Sequence, residues 1–354
     1  MKKIEIFLKN ILLKILLFIS NFNKKRNGMN KRISRVLFIR LNRIGDALVT
    51  TSLLHLIKSN LHCDVYLLAD KKNYFAFNNN PDIDEVIIFE KGLGGIIKIL
   101  KTIKHERIDT IVDLHDDVST TVSFLIALSS AVNKFGLEKE NKVIYTNTVK
   151  KLDDTKFHVI ERLLELGKLF DIRISKDEAK VYYNPESNSL TEAKEFINKS
   201  FEENKFLVGI NISAGSEARF WGTENYKLLI ESLIDKDINL LILSDPNDLN
   251  LAKNVSGNKV KVYSTESFDK FAAMIFQLNL LITPDTMAVH LAAANNVNVF
   301  GMYVHDTPSM IWSPYNSDFE FVETISSDLK DISFNEVKSK LLPFLEKHLI
   351  GVKN

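Results

Sequence analysis

Three short segments of this 354-residue chain carry side chains whose types and spacing suit proton transfer and anion binding. In RVLFIRLNRIGDALVTTSLLHLIKSN, an apolar run delivers Asn42, Arg43, Gly45 and Asp46 to the point where an apolar-periodic helix begins. A carboxylate there has two uses. It caps free helix amides and favours the helix dipole, or it accepts a proton from a substrate hydroxyl as a general base. In FLVGINISAGSEARFWGTENYKLLIESL, the small residues Ser213, Ala214, Gly215 and Ser216 allow a ligand close to the backbone. Arg219 adds a planar fork suited to phosphate oxygens, and Trp221 is placed to wall such a site. The alternative is an exposed Arg beside a buried Trp. In NLLITPDTMAVHLAAANNVNVFGMY, an Ala-rich helix starts after Pro284-Asp285-Thr286. Its free amides attract anions, the Thr286 hydroxyl adds a further donor, and His290 lies one turn on, as a structural or a ligand-facing imidazole. A single glycine in the first segment does not make a G-x-G-x-x-G dinucleotide fingerprint.

These segments need strands to end where they begin. Short β-branched and aromatic runs alternate with helical periodicity from Arg35 onward, which predicts an α/β fold of parallel sheets with crossover helices. The expected strands are Val36–Arg40, Val65–Leu68, Glu85–Phe89, Thr110–Asp113 and Val143–Tyr145, then Phe206–Ile212, Asn239–Leu243, Leu280–Thr283 and Val297–Met302. The domains predicted are 33–183 and 205–330, joined by a polar linker at 184–204. A helical pattern at Asn335–His348, within 331–354, is expected to pack back across the junction. Function in open α/β sheets gathers at the carboxyl ends of strands, which is where all three segments lie.

The charge is unevenly distributed. Residues 1–32 hold nine Lys/Arg and one acid, whereas the rest of the chain holds 37 basic and 44 acidic residues. The mildly acidic body excludes nucleic acid as a natural partner, and the basic tail suits an anionic membrane surface. Ile4, Leu8, Ile11, Leu12, Ile15, Phe18, Ile19 and Phe22 share one helical face there, opposite Lys2, Lys3, Lys9 and Lys14. Lys14 interrupts the apolar run, so an interfacial amphipathic helix is expected rather than a span. A signal peptide and a helix packed on the protein's own body are the competing readings. One cysteine, Cys63, excludes an intrachain disulfide and points to a reducing compartment, the cytoplasm.

The order of the segments resembles glycosyltransferase family 9, the ADP-heptose:lipopolysaccharide heptosyltransferases. The stretches that carry the resemblance are RLNRIGDALVTTSLLHLIK, NNNPDIDEVIIF, IDTIVDLHDDVSTT, GINISAGSEARFW and PDTMAVHLAAA, between about residues 35 and 315. The resemblance implies a GT-B fold, two Rossmann-like doubly wound domains facing across a cleft, with acceptor on the first and nucleotide sugar on the second. It implies Asp46 as catalytic base, Arg219 against donor phosphate with Gly215 and Ser216 of its loop, and Asp285, Thr286 and His290 as the D-T-G-x-x-H-L donor motif. Met287 stands where that motif keeps glycine, Ile212-Ser213 where Pro-Gly is common, and Tyr303-Val304-His305-Asp306 where a phenylalanine-glycine-proline loop is usual.

The chemistry implied is inverting transfer from a nucleotide diphosphate sugar, with ADP-heptose as donor substrate and a lipid-anchored core oligosaccharide as acceptor. No cofactor or metal is required, because a cation and helix amides meet the leaving-group charge. Asp116-Asp117 and Asp153-Asp154 read as solvated pairs. Asp248 is the candidate for a donor ribose hydroxyl. Asn42, Arg43, Gly45, Asp113 and His115 are candidates against the acceptor, with Asp113 alternatively a helix cap. Attachment to the cytoplasmic face of the inner membrane through residues 1–32 follows. The alternative is a non-catalytic sugar-nucleotide-binding or scaffold protein that kept the fold, and Met287 is the feature that favours it.

Overall fold

The computed structural model describes residues 13–18, 33–173, 175–304 and 309–352. The chain divides into two compact units, 1–154 with 159–179, and 155–158 with 180–354. Of the basic tail, residues 13–18 are helical and the remainder lies outside the described residues, so most of the expected amphipathic helix does too. No helix among the described residues is long and apolar enough to cross a membrane.

The first unit is built on six parallel strands: β1 (Arg35–Arg40), β2 (Asp64–Asp70), β3 (Glu85–Phe89), β4 (Thr110–Asp113), β5 (Asn133–Leu137) and β6 (Asn147–Val149). Their spatial order is β3-β2-β1-β4-β5-β6. Near-continuous apolar strands such as VLFI are what a parallel sheet covered on both faces requires. Leu37, Ile39, Leu68 and Ile111 pack in one cluster with Ile99 and Ile103 of α2 (Leu93–His105) and with Val122, Leu125 and Ile126 of α3 (Thr120–Leu128). Phe38 points to the opposite face, where its ring stacks on Phe170. There, α1 (Ile44–Asn60) meets α4 (Val159–Leu164).

The strand expected at Val143–Tyr145 is not formed. Lys142–Ile144 is a single 3₁₀ turn between two strands, β5 and β6, that the apolar pattern does not reveal. Gly136 hides β5 from a propensity reading, and packing demands it. A Cβ at Gly136 would lie 2.6 Å from the Tyr145 ring, which crosses directly over the strand.

The second unit repeats the plan with β7 (Phe206–Asn211), β8 (Ile238–Ser244), β9 (Lys261–Ser264), β10 (Leu280–Pro284), β11 (Asn298–Tyr303) and β12 (Phe319–Glu323). Its order, β9-β8-β7-β10-β11-β12, is that of the first sheet once β7 is counted first. Both edge strands, β9 and β12, are half-polar and escape an apolar-run criterion. The stretch expected as linker at 184–204 carries a 14-residue helix, α5 (Ser187–Ser200), packed within this unit against α8 (Phe268–Ile275). Between them in sequence lie α6 (Thr223–Leu233) and α7 (Leu249–Ser256). After β10 comes α9 (Met287–Ala294). The last helix, α10 (Phe334–Val352), buries Val337, Leu341 and Leu345 in the core of its own unit.

In each sheet the strand order reverses beside the first strand, between β1 and β4 and between β7 and β10. Such switch points are where α/β sheets open a ligand crevice beyond the strand ends.

Candidate active site

At the first switch point β1 closes on Arg40, a guanidinium only 2% exposed. A buried charge must be paired and hydrogen-bonded, and Arg40 is. Its Nη2 donates to Asp46 Oδ1 at 3.0 Å, its Nε to the Asp46 carbonyl at 3.1 Å, and its Nη1 to the Leu114 carbonyl beyond β4. Asp46 sits in the first turn of α1, whose N-cap is Arg43 with no side-chain cap. Asp46 therefore makes no cap hydrogen bond, although its place in the first turn still favours the helix dipole, and the carboxylate is oriented by Arg40. Its second oxygen, Oδ2, has no hydrogen-bond partner among the described residues, and the residue lines a cavity of about 530 Å³ with Leu41, Asn42, Arg43, Ile44, Asp70, Lys72 and Lys91. Gly45 lies in the same turn.

The loop carrying Asn42 and Arg43 is held from below. Asn73, fully buried, donates through Nδ2 to the carbonyls of Arg40 (3.1 Å) and Asn42 (2.9 Å) and accepts at Oδ1 from the Asp70 amide (2.8 Å). Asp70 in turn pairs with Lys91 at 3.3 Å.

Asp113 and His115, expected against the acceptor, are placed behind this loop instead. Asp113 is 0% exposed and accepts from His115 Nδ1 (2.7 Å), Lys139 Nζ (2.9 Å) and Tyr145 Oη (2.6 Å). Burial alone would raise its pKa. The hydrogen bond from His115, the Lys139 charge and the Tyr145 hydroxyl outweigh that and hold it well below the usual carboxylate range. His115 Nε2 accepts from the Leu41 amide at 3.1 Å, so Nδ1 is the nitrogen that donates to Asp113. Lys139 also donates to the His115 carbonyl at 2.7 Å, which ties β5 to the end of β4. Asp113 is no helix cap either: Ser119 caps α3.

The second unit closes its switch point in a similar way. Arg219 Nη2 meets Asp285 Oδ2 at 3.2 Å and Nη1 donates to the Asp285 carbonyl at 3.1 Å, bridging the β7 loop to the end of β10. Asp285 is thereby the holder of the arginine, and as an anion it is unsuited to the phosphate contact expected of it. Thr286 caps α9, its Oγ1 accepting from the Ala288 amide at 3.3 Å, and Asn211, which ends β7, reaches Thr283 (3.0 Å) and Thr286 (3.4 Å). Gly215 and Ser216 are exposed, and a Cβ at Gly215 would meet nothing within 4 Å, so the surface above this loop is open.

His290 is 2% exposed, its ring centroid 6.0 Å from that of Trp312. Burial, with a smaller contribution from His158, pushes its pKa down to about 3. It is thus neutral, with Nδ1 buried and unpartnered among the described residues, and offers no cation to a phosphate. Asp248, the ribose candidate, accepts from Ser213 Oγ at 2.6 Å and is half-buried. Trp221 does not wall the site. It is fully buried in the core with Nε1 donating to the Ile332 carbonyl at 2.8 Å. Asp116, expected to be solvated, pairs with the buried Arg162 at 2.6 Å. Met287 is half-buried in the first turn of α9. His305 and Asp306 lie outside the described residues.

Sequence reading missed Arg40, Asp70, Asn73, Lys139, Tyr145 and Asn211. A signal exists for three of them: Arg40, Asp70 and Asn211 are polar residues closing otherwise apolar strands, where a buried polar group must be serving something.

A family model described as Glycosyltransferase family 9 (heptosyltransferase) matches residues 96–340. The lipopolysaccharide core heptosyltransferase OpsX of Haemophilus influenzae is 19% identical over 290 residues, covering 79% of this chain and 81% of that protein. Among solved structures, the glycosyl transferase family 9 protein of Veillonella parvula superposes with a TM-score of 0.80 at 19% identity, over 91% of this chain and all of that one. The ADP-heptose lps heptosyltransferase II of E. coli gives 0.72 at 16% identity, over 90% and 100%. E. coli heptosyltransferase WaaC with ADP gives 0.70 at 17%, over 89% and 99%. At such identities the structural likeness speaks for the fold, a pair of Rossmann-like domains of the GT-B class. With the family model spanning more than half its length, the chain belongs to glycosyltransferase family 9, the heptosyltransferase family, and is a glycosyltransferase.

Proposed function

We propose that this enzyme transfers a heptose from ADP-heptose to the core oligosaccharide of a lipid-anchored lipopolysaccharide acceptor, with inversion at the anomeric carbon. An acceptor hydroxyl oxygen attacks that carbon, the hydroxyl proton passes to Asp46 Oδ2, and the bond from the anomeric carbon to the diphosphate oxygen breaks, releasing ADP. The observation that carries this reading is the Asp46 carboxylate, one oxygen fixed by a buried arginine and the other without a hydrogen-bond partner among the described residues, in a residue that lines a cavity. The donor diphosphate is met by the exposed Gly215–Ser216 backbone, the start of α9 and Arg219, for which it competes with Asp285. The scheme uses no metal. The names of OpsX and of the WaaC complex with ADP support the donor and acceptor classes. Attachment to the cytoplasmic face of the inner membrane through residues 1–32 belongs to the same proposal, supported by the nine cations of that segment.

The test is ADP release from ADP-heptose with a lipopolysaccharide-core acceptor. Asp46→Asn keeps the size and loses the base, so kcat falls by about 10²–10⁴-fold when assayed below the melting temperature, which itself drops because the buried Arg40 loses its counter-charge. Full turnover by that variant would remove Asp46 from its role. The Arg219–Asp285 pair and Met287 favour one other reading, a protein that binds the nucleotide without turnover. Stabilisation by ADP with no ADP release from any acceptor would establish it.

A further inference from the structure

Helix α2 follows directly on Lys91, which lines the Asp46 cavity. Its inner face is apolar and buried through Ile99 and Ile103, as an amphipathic helix on a sheet should be. The outer face is not simply polar. Leu93 is 80% exposed and Ile97, one turn later, 54% exposed. Around them stand the exposed cations Lys91, Lys98, Lys101 and Lys104. Lys98 is answered by Glu90 at 2.8 Å and Lys91 by Asp70 at 3.3 Å, whereas Lys101 and Lys104 have no ion pair among the described residues. The helix at residues 13–18 lies on the same side of the sheet, because its Leu17 packs on the cluster that Ile96 and Leu100 of α2 also join. It adds Ile15, 49% exposed, and the exposed Lys14. Large aliphatic side chains standing out among lysines, two of which have no ion pair among the described residues, cost solvation in water and gain it at an anionic interface, where apolar groups enter the acyl boundary and cations meet headgroups.

We propose that the outer face of α2 is a docking surface for an anionic lipid bilayer, in addition to the basic tail, and sets the Asp46 cavity at the membrane where a lipid-anchored acceptor emerges. The choice of a bilayer over another protein rests on the charge of the face and on the proposed acceptor. Binding to lipid is measurable without turnover, so the two readings fail separately.

Vesicles of phosphatidylglycerol and phosphatidylcholine in equal parts are sedimented with the full chain, beside vesicles of phosphatidylcholine alone. Leu93→Ser with Ile97→Ser, and separately Lys101→Glu with Lys104→Glu, are each expected to weaken binding to the anionic vesicles by about tenfold or more at unchanged melting temperature. Turnover of a deacylated, water-soluble acceptor stays at the wild-type rate in both variants, while turnover of the same acceptor carried in vesicles falls. Unchanged affinity for anionic vesicles in both variants would overturn the assignment. So would a wild-type dimer in sedimentation velocity that the aliphatic variant dissociates, since the face would then be covered by a second copy.

Discussion

Asp46 and His290 show how environment, rather than residue type, sets what a titratable group can do. Asp46 is held through one oxygen by a buried cation and lines a cavity, which suits the proton acceptor proposed for it. His290, expected from its motif to face donor phosphate, is instead a buried neutral imidazole in the first turns of α9, with a pKa pushed down to about 3 from an ordinary 6.5. Between those two values the unfolded chain binds the proton and the folded chain does not. Stability is therefore lost as pH falls through that window, by up to about 1.4 kcal/mol per pH unit. His290→Leu removes this one group, and because Nδ1 has no partner among the described residues, the substitution orphans nothing. The melting temperature of the variant should fall less steeply than that of the wild type from neutral pH to pH near 4. Parallel slopes would mean that His290 is protonated in the fold.

At the level of elements, the first unit joins three strand ends through one buried carboxylate. Asp113 ends β4, Lys139 follows β5, His115 reaches Leu41 beyond β1, and Tyr145 crosses over Gly136 to the same carboxylate. None of these side chains lines the cavity, yet together they fix the loop that does. Lys139 is 3% exposed and Asp113 0%. Lys139→Met should therefore cost about 3–5 kcal/mol, the usual result of leaving a buried charge without its counter-charge. Tyr145→Phe removes one neutral donor and should cost about 2 kcal/mol. Chemical denaturation of the two variants checks the ranking. Equal losses would show that shape rather than charge governs the cluster. Lys139 has no sequence signal, since a lysine in GLEKEN reads as solvated surface.

Across the whole molecule, the same strand order occurs twice, and each copy spans its switch point with an arginine bound to an acid: Arg40 to Asp46 in the first unit, Arg219 to Asp285 in the second. The two pairs differ in burial. Arg40 is 2% exposed, while the Arg219 side chain is 23% exposed, which leaves it accessible to the diphosphate proposed to compete with Asp285. The proposed proton acceptor and the proposed anion site thus fall on different units, which separates their effects. ADP should raise the melting temperature of the wild type by mass action and that of Asp46→Asn equally, whereas Arg219→Ala should lose most of the shift. Loss of the ADP effect in Asp46→Asn would contradict this division.

The α/β class, most buried strands and the positions of Asp46, Arg219 and Thr286 at strand ends were readable from residue order alone, because apolar periodicity and helix-start chemistry are local properties. Tertiary structure alone decided which polar residues line the cavity and which are interior. Asp113, His115 and Trp221 look like site residues in one dimension and are interior in three, since burial depends on partners as distant in sequence as Lys139, Tyr145 and Ile332. The half-polar edge strands and the Gly136 strand were hidden for the same reason: pairing with a neighbouring strand, not their own composition, makes them strands.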